Sequence, residues 1–442
     1  MSSKLSDFVT HQIGGGWGDE MPKEGFKRVA VIRGTDIPRI KDGDTSTVPF
    51  RFEKKSKLPQ RLLQPGDLII EVSGGSAASG QHTGRVLHVT KEILSRLGGD
   101  VIPASFCKLI RLDAGQVCPS YCSYFIDLMH LTKEIAIFEN QSTGISNFQT
   151  SKFLDATEPP IAISAQKNVS NFLLKVDGLR LQIRSQNVAL EAIAQRLFRS
   201  WFVNFDPVHA KAAGKEPEAM SAELAALFPS EFEDSELGPI PKGWTVESLD
   251  RSITYLNGLA LQKFPPLEGE AVLPVLKIAQ LRAGRTDAGA LANRKMRPEY
   301  VVKDGDIVFS WSGSLEIRIW TGGEAALNQH LFKVFSQVHP EWFCYQSTLK
   351  HLPLFRQIAA SKATTMGHIQ RHHLTEAKIP VAPDAVMQRF SAVFGPMQAL
   401  IVQNGKLIKE LEELRDHLLP RLISGKLSLE EAEQVVEEAM AA

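Results

Sequence analysis

Apolar residues recur at spacings of three and four along two long stretches of the chain. The first runs from about Ser164 to Val203, with Val169, Phe172, Leu173, Val176, Leu179, Ile183, Leu190, Ile193, Ala194, Leu197, Trp201 and Phe202 in step. The second runs from about Asp384 to Ser424, with Phe390, Val393, Phe394, Met397, Leu400, Ile401, Leu407, Leu411, Leu414, Leu418 and Leu422. One apolar stripe at that spacing predicts an amphipathic helix. A helix of roughly 40 residues is about 60 Å long and needs a partner along its stripe. The simplest partner for each is the other, as an antiparallel coiled coil. Packing of each on its own globular part is the alternative. Gly395-Pro396 and Gly405 predict a kink or a later start in the second helix.

The chain also repeats itself. Arg61 to Gly75 and Arg297 to Ser314 both carry Gly-Asp, a short apolar run and then small residues. Gly66-Asp67 matches Gly305-Asp306, and Ser73-Gly74 matches Ser312-Gly313. The pattern predicts a tight turn, a buried strand and a loop that permits close backbone approach. Further on, Ser142-Thr143-Gly144 matches Thr365-Met366-Gly367, and each leads into one of the long helices. Other expected strands are Lys27 to Arg33, Asp67 to Ser73, Ile307 to Trp311 and Leu331 to Phe335. The fold class expected is α+β, with two mixed α/β domains, two long helices and a pseudo-two-fold internal repeat.

Between the halves, residues 204–243 carry 3 basic and 8 acidic residues and several prolines. They read as a linker holding one short capped helix, Ser221 to Leu227. Residues 425–442 read as a short acidic helix. Over the whole chain of 442 residues, Lys+Arg and Asp+Glu balance at 50 each. That length suggests about two to four domains. With acid concentrated in linker and tail, the larger blocks are mildly basic, which permits polyanion binding. No apolar run reaches the roughly 18 residues of a membrane span, and the N-terminus lacks an apolar signal core. The expected address is the cytoplasm. The four cysteines fit a reducing compartment; Cys118 and Cys122 lack a second ligand pair at zinc spacing.

Catalytic patterns are missing. There is no phosphate-binding Gly-x-x-x-x-Gly-Lys, no Gly-x-Ser-x-Gly elbow and no His-Glu-x-x-His. Gly14 to Gly18 is glycine-rich but follows no convincing strand and reads as a flexible loop. Glu158-Pro159-Pro160-Ile161 lacks the aromatic residue of an amino-methyltransferase tetrapeptide. His368, His372 and His373 admit three readings: metal ligands, nucleic-acid or partner contacts, or ordinary surface. Two basic stretches, Arg51 to Arg61 and Arg282 to Arg297, suit phosphate or base contact, with a solvated surface as the plain alternative. Trp311 and Trp320 suit either core packing or a wedge at DNA.

At Leu197 to Val208, continuing through His209 to Ala212, Ala225 to Pro229, Asp234 to Gly238 and Ile240 to Trp244, the chain resembles the specificity subunits of type I restriction–modification systems. Leu418 to Leu427 is a second match. The resemblance implies target recognition domains at 1–160 and 244–383. It implies conserved long helices at 161–203 and 384–424, a linker at 204–243 and a tail at 425–442. It implies a non-catalytic subunit that reads a bipartite, asymmetric target in double-stranded DNA. Two methylation subunits and two restriction subunits are the implied partners. S-adenosylmethionine, ATP and magnesium are then expected on those partners, and none on this chain. The expected contact residues are Lys54, Lys55, Lys57, Ser73, Gly74 and Gly75 in the first half. In the second they are Arg282, Arg285, Arg294, Lys295, Arg297, Ser312, Gly313 and Ser314. An orphan or decoy scaffold that assembles without reading DNA is the rival expectation.

Overall fold

Two turns of one design set up the two globular parts. Gly66 and Gly305 take φ values of 97° and 95°, a backbone region that a side chain would strain. The aspartate that follows closes each turn. Asp67 Oδ2 accepts the Gln64 N–H and Asp306 Oδ2 accepts the Lys303 N–H, both at 2.7 Å. Each carboxylate also holds the neighbouring strand, Asp67 through Arg111 and Asp306 through Lys333, again at 2.7 Å. The Gly-Asp repeat is therefore a turn and an ion pair in one. These features belong to a computed structural model that describes residues 3–74, 82–142, 145–287, 289–361 and 367–441.

The chain forms two compact units, Met1–Leu181 with Leu411–Ala442, and Gln182–Glu410. In the first unit the strands are β1 (Val9–Gly14), β2 (Phe26–Ile32), β3 (Phe50–Lys54), β4 (Leu68–Glu71), β5 (Val86–His88), β6 (Val101–Pro103), β7 (Cys107–Leu112), β8 (Glu139–Ser142) and β9 (Ile145–Phe148). An antiparallel sheet has the order β1-β7-β4-β5. A second sheet, β3-β2-β6, pairs β2 antiparallel with β3 and parallel with β6. β8 and β9 form a hairpin. The apolar run of β4 is continuous because both its faces are covered. Leu68 and Ile70 join one core with Ile110, Ile126 and Phe153, while Ile69 joins another with Ile32 and Leu109.

The second unit holds β10 (Phe232–Ser235), β11 (Gly238–Pro241), β12 (Thr245–Ser248), β13 (Thr254–Asn257), β14 (Val272–Leu276), β15 (Leu291–Asn293), β16 (Val301–Val302), β17 (Ile307–Ser310), β18 (Ile317–Ile319), β19 (Ala325–Leu327), β20 (Leu331–Phe335) and β21 (Lys378–Val381). Its antiparallel sheet, β13-β20-β17-β18, has the same order as β1-β7-β4-β5. Its other four-stranded sheet, β15-β14-β19-β16, again contains one parallel pair, β14 with β19. The internal repeat thus extends to topology. It extends to close contacts as well. Gly15 and Gly258 lie so near the next chain segment that a Cβ would meet the Ala104 carbonyl at 2.1 Å and the Asn328 carbonyl at 2.2 Å. Gly15 donates to Cys107 and Gly16 to Pro103, both at 2.9 Å. The glycine-rich stretch expected to be a flexible loop is packed at that end, because only glycine fits there.

The two long helices span Ile163–Phe202 and Asp384–Ile423, and the units divide each helix between them. Within each unit the two helical portions pack antiparallel. In the first unit Asp177 meets Arg415 at 3.1 Å and Arg180 meets Glu412 at 2.9 Å. In the second, Asn187 donates to the Ile401 carbonyl at 3.1 Å and Asn404 donates to Asn187 at 2.8 Å. An asparagine pair with one buried member, Asn404, penalises slipped registers, in which its amides would lose their partners. The second helix runs unbroken through Gly395-Pro396. A proline costs a helix one N–H donor and need not end it.

Arg180 is buried and serves three carboxylates: Asp42 at 2.6 Å, Glu412 at 2.9 Å and Asp177 at 3.6 Å. Burial pulls its pKa down, but the hydrogen bond to Asp42 and the nearby charges outweigh that and hold it above its usual range. Arg180→Ala would leave those carboxylates facing one another. We predict a loss of about 3 kcal/mol from the first unit, read as a lower urea midpoint. An unchanged midpoint would show that the cluster is solvated rather than structural.

The stretch expected as a linker, 204–243, is folded into the second unit. It contains the helices Asp206–Ala212 and Ala222–Ala225 and the β10–β11 hairpin. Ser221 caps the second of these by accepting the Leu224 N–H at 3.3 Å. Phe205, Val208, Phe228 and Ile240 are buried in one core with Trp201, Phe202, Trp244 and Phe390. The acidic tail is helical from Leu429 to Ala441, started by a reciprocal Ser428–Glu431 cap. No described helix is long and apolar enough to cross a membrane.

Candidate nucleic-acid interface

Three chain segments meet where β4 ends in the first unit, and three matching segments meet where β17 ends in the second. The backbone partners are the same. Val72 donates to Phe106 at 2.8 Å, and Trp311 donates to His330 at 3.4 Å. Phe148 donates to Val72 at 2.9 Å, and Ile369 donates to Trp311 at 3.0 Å. Ser73 bridges to Asn147, and Ser312 bridges to His368. Short helices, Thr150–Ala156 and Arg371–Glu376, follow the third segment in each case. These pairings put Ser146 in the place of Gly367, because Gly74 donates to Ser146 and Gly313 to Gly367. The sequence match of Gly144 with Gly367 is therefore two residues out. Thr143, Gly144, Thr365 and Met366 lie outside the described residues.

The backbone frame is shared and the side chains on it differ. In the first unit the frame presents Val72, Ser73, the 66% exposed Phe106 and the exposed Asn147. A groove beside it is lined by Val72, Lys108, Gln149, Ser151 and Lys152. In the second unit the frame presents Trp311, His330 and His368, with Ser312 buried beneath them. The Trp311 ring donates from Nε1 to Asn257 Oδ1 at 3.0 Å and lies between His330 and His368, at centroid distances of 5.9 and 6.2 Å. Ser312 Oγ and His330 Nδ1 are 3.2 Å apart, and Gln329 approaches the other nitrogen of that ring at 3.4 Å. Arg371 stacks over Phe332. Serine, asparagine, glutamine, histidine and arginine are the groups that meet base edges and phosphates.

The strand ends below these frames also differ. Glu71 is buried and takes two hydrogen bonds from Arg85, at 2.8 and 2.5 Å. That hydrogen bonding holds the Arg85 guanidinium above its usual pKa, against the opposing effect of burial. Beside it, burial pushes the Cys107 thiol up to about 12. At the matching position Ser310 is buried and hydrogen-bonds the carbonyls of Ser314 and Glu316. One unit supports its loop with an ion pair and the other with a hydroxyl.

The expected contact residues fall into three groups. Ser73, Gly74, Ser312, Gly313 and Ser314 lie at the frames; Gly75 lies outside the described residues. Ser312 is buried rather than displayed. Lys54, Lys55, Lys57 and Arg285 are exposed, and among the described residues none of them has a carboxylate partner. The remaining cations are paired on the surface: Arg282 with Glu316 at 3.7 Å and with Ser314, Arg294 with Glu324 at 2.6 Å, Lys295 with Glu270 at 2.5 Å, and Arg297 with Glu299 at 3.1 Å. Such exposed pairs are weak and are readily exchanged for phosphate. Phe106, Lys108, Asn147, Asn257, Gln329 and His330 were not singled out from sequence. Each stands alone at a strand end or in a loop, where periodicity says nothing.

His368 and His372 do not form a site together. The described residues that approach metal spacing are His372, His373 and Glu376. His373 is buried, and its Nδ1 accepts the Gln370 N–H at 2.8 Å, so the ring proton sits on Nε2. That tautomer cannot offer Nε2 to a metal without losing the helix cap. Trp320 is core, donating to the Gly323 carbonyl at 2.7 Å. All four cysteines are buried and free.

No family model matches the chain. It is 25% identical over 320 residues to the type I restriction enzyme MjaIX specificity subunit of Methanocaldococcus jannaschii, covering 70% of each chain. It is 22% identical over 309 residues to the type I restriction enzyme HindI specificity subunit of Haemophilus influenzae, covering 59% of this chain and 67% of that one. Its fold is similar to that of the type I restriction–modification S subunit from M. genitalium. That comparison has a TM-score of 0.50 and 13% identity, and covers 96% of this chain and 95% of the other.

Proposed function

We propose that this chain, a relative of the type I specificity subunits in sequence and in fold, is the non-catalytic DNA-reading subunit of a type I restriction–modification complex. Each unit reads one half of a split target. The observation that carries this is the pair of matched frames whose side chains differ around a shared serine: Val72, Phe106 and Asn147 on one, Trp311, His330 and His368 on the other. One scaffold used twice with unlike side chains suits a target whose halves differ. Readers built from two like modules bind two half-sites at a set spacing. The paired long helices are suited to fix that spacing and to receive two methylation subunits, with two restriction subunits joining them. S-adenosylmethionine, ATP and magnesium then belong to those partners.

Selection from a randomised duplex library, using the chain assembled with its methylation subunit, tests this reading. We expect enrichment of two unlike short motifs separated by a constant gap. Assembly without any enriched motif would favour a scaffold or decoy subunit instead.

A further inference from the structure

We infer that the exposed end of the β2–β3 strand pair in the first unit, with the turn after β3 that carries Lys55 and Lys57, is a pre-organised array of cations that grips the phosphate backbone of duplex DNA. The first unit then supplies most of the chain's salt-dependent affinity. The inference rests on the DNA-reading role proposed above and adds to it an anchoring surface outside the two frames.

The N-terminal half of β2 extends beyond the core. Phe26, Arg28 and Ala30 share one face with Lys54, Phe52 and Phe50, their partners on β3. The Arg28 guanidinium lies 3.8 Å from the centroid of the Phe50 ring. Lys23 and Lys54 approach Phe26 at 5.8 and 6.0 Å. Each ring therefore has one of the protein's own cations against it, although Phe50 stays 40% exposed. Such a ring restrains a long cationic side chain, which lowers the entropy lost when that side chain meets an anion.

Around this strand pair Lys23, Lys27, Arg51 and Arg61 are paired with carboxylates, and four further cations are not. Lys23 is held by Asp19 at 2.9 Å. Among the described residues, no carboxylate pairs with Arg28, Lys54, Lys55 or Lys57. The matching face of the second unit is a natural contrast. Val31 donates to Pro49 and Val275 to Ala290, so Leu291 holds the place of Phe50 and Val272 that of Arg28. Both are aliphatic and 39% exposed. Most of the cations near that region, Arg294, Lys295 and Arg297 among them, already face carboxylates. A strong cationic array on one unit and an aliphatic surface on the other point to a polyanion held mainly by the first. A regular phosphate backbone is the polyanion that the proposed role supplies.

The test measures affinity of the full chain for a labelled mixed-sequence duplex across a series of salt concentrations. The variant combines Arg28→Gln, Lys54→Gln, Lys55→Gln and Lys57→Gln, all at exposed positions. Its slope of log affinity against log salt should be shallower than wild type by up to about 3.6, since each of the four lost phosphate contacts removes about 0.9. Phe50→Leu, which keeps every charge, should weaken binding several-fold and leave the slope unchanged. Arg28→Lys should restore most of the slope lost in Arg28→Gln.

A wild-type slope in the combined variant, with sequence preference intact, would overturn the anchoring surface and leave the DNA-reading role standing. Loss of a co-purifying methylation subunit at an unchanged slope would make the face a protein contact and overturn the inference as well. Absence of duplex binding by the wild type, with or without that subunit, would remove both claims.

Discussion

Replacing Trp201 with alanine is expected to lower the stability of the second unit by about 4 kcal/mol, the cost of vacating a large aromatic core site. Trp201 ends the first long helix and is 3% exposed. Its ring lies 5.6 Å from Phe228, 5.0 Å from Phe390 and 5.4 Å from Phe394. Those rings come from the segment after the first helix and from the start of the second helix. One side chain therefore ties together the two helical portions and residues 204–243. Chemical denaturation followed by tryptophan-independent circular dichroism measures the effect. Trp201→Phe should recover more than half of the loss, because a smaller ring still fills most of the site. A loss below about 1 kcal/mol for Trp201→Ala would mean that the joint relaxes freely, against the packing described.

The second large effect is on recognition. Trp311→Ala combined with His368→Ala is expected to weaken binding to the native target about 10- to 100-fold, since each base pair read directly is worth about 1–3 kcal/mol. The loss should be confined to one half of the target. Neither side chain is fully buried, so the fold should survive. Asn147→Ala, on the matching frame, should relax the other half and leave the first untouched. Binding titrations against duplexes mutated in one half at a time separate these outcomes. Equal loss for both halves would show that the frames do not read separately.

Much of the fold was legible because it rests on repeated local physics. The apolar stripes marked both long helices to within a few residues at each end. The Gly-Asp turns marked β4 and β17, since a left-handed glycine and a capping aspartate leave a plain trace. Residues 204–243 read as a linker because prolines and acids dominate their composition. Their fold depends on a few widely spaced apolar residues, Phe205, Val208, Phe228 and Ile240, which find their partners on distant helices. The two-residue offset of the repeat arose because the position equivalent to Gly367 is Ser146 rather than a glycine, and only backbone pairing reveals the true equivalence.

The candidate site was half legible. Ser73-Gly74 and Ser312-Gly313 stood out as small-residue loops after buried strands. Phe106 and His330 did not, because each is brought to its frame by a strand pairing across the sheet. Charge was visible in the sequence and its compensation was not. Arg294, Lys295 and Arg297 match Lys54, Lys55 and Lys57 in charge, and among the described residues the fold brings carboxylates only to the first three. That contrast underlies the expectation that salt dependence resides in the first unit.

Single-molecule sequencing of adenine methylation, in cells carrying this chain with its methylation subunit and in cells lacking only this chain, tests the DNA-reading role most directly. The account predicts one split motif with unlike halves and a constant gap, present with the chain and gone without it. A methylation pattern that does not change when the chain is removed, with the methylation subunit expressed and intact, would contradict it.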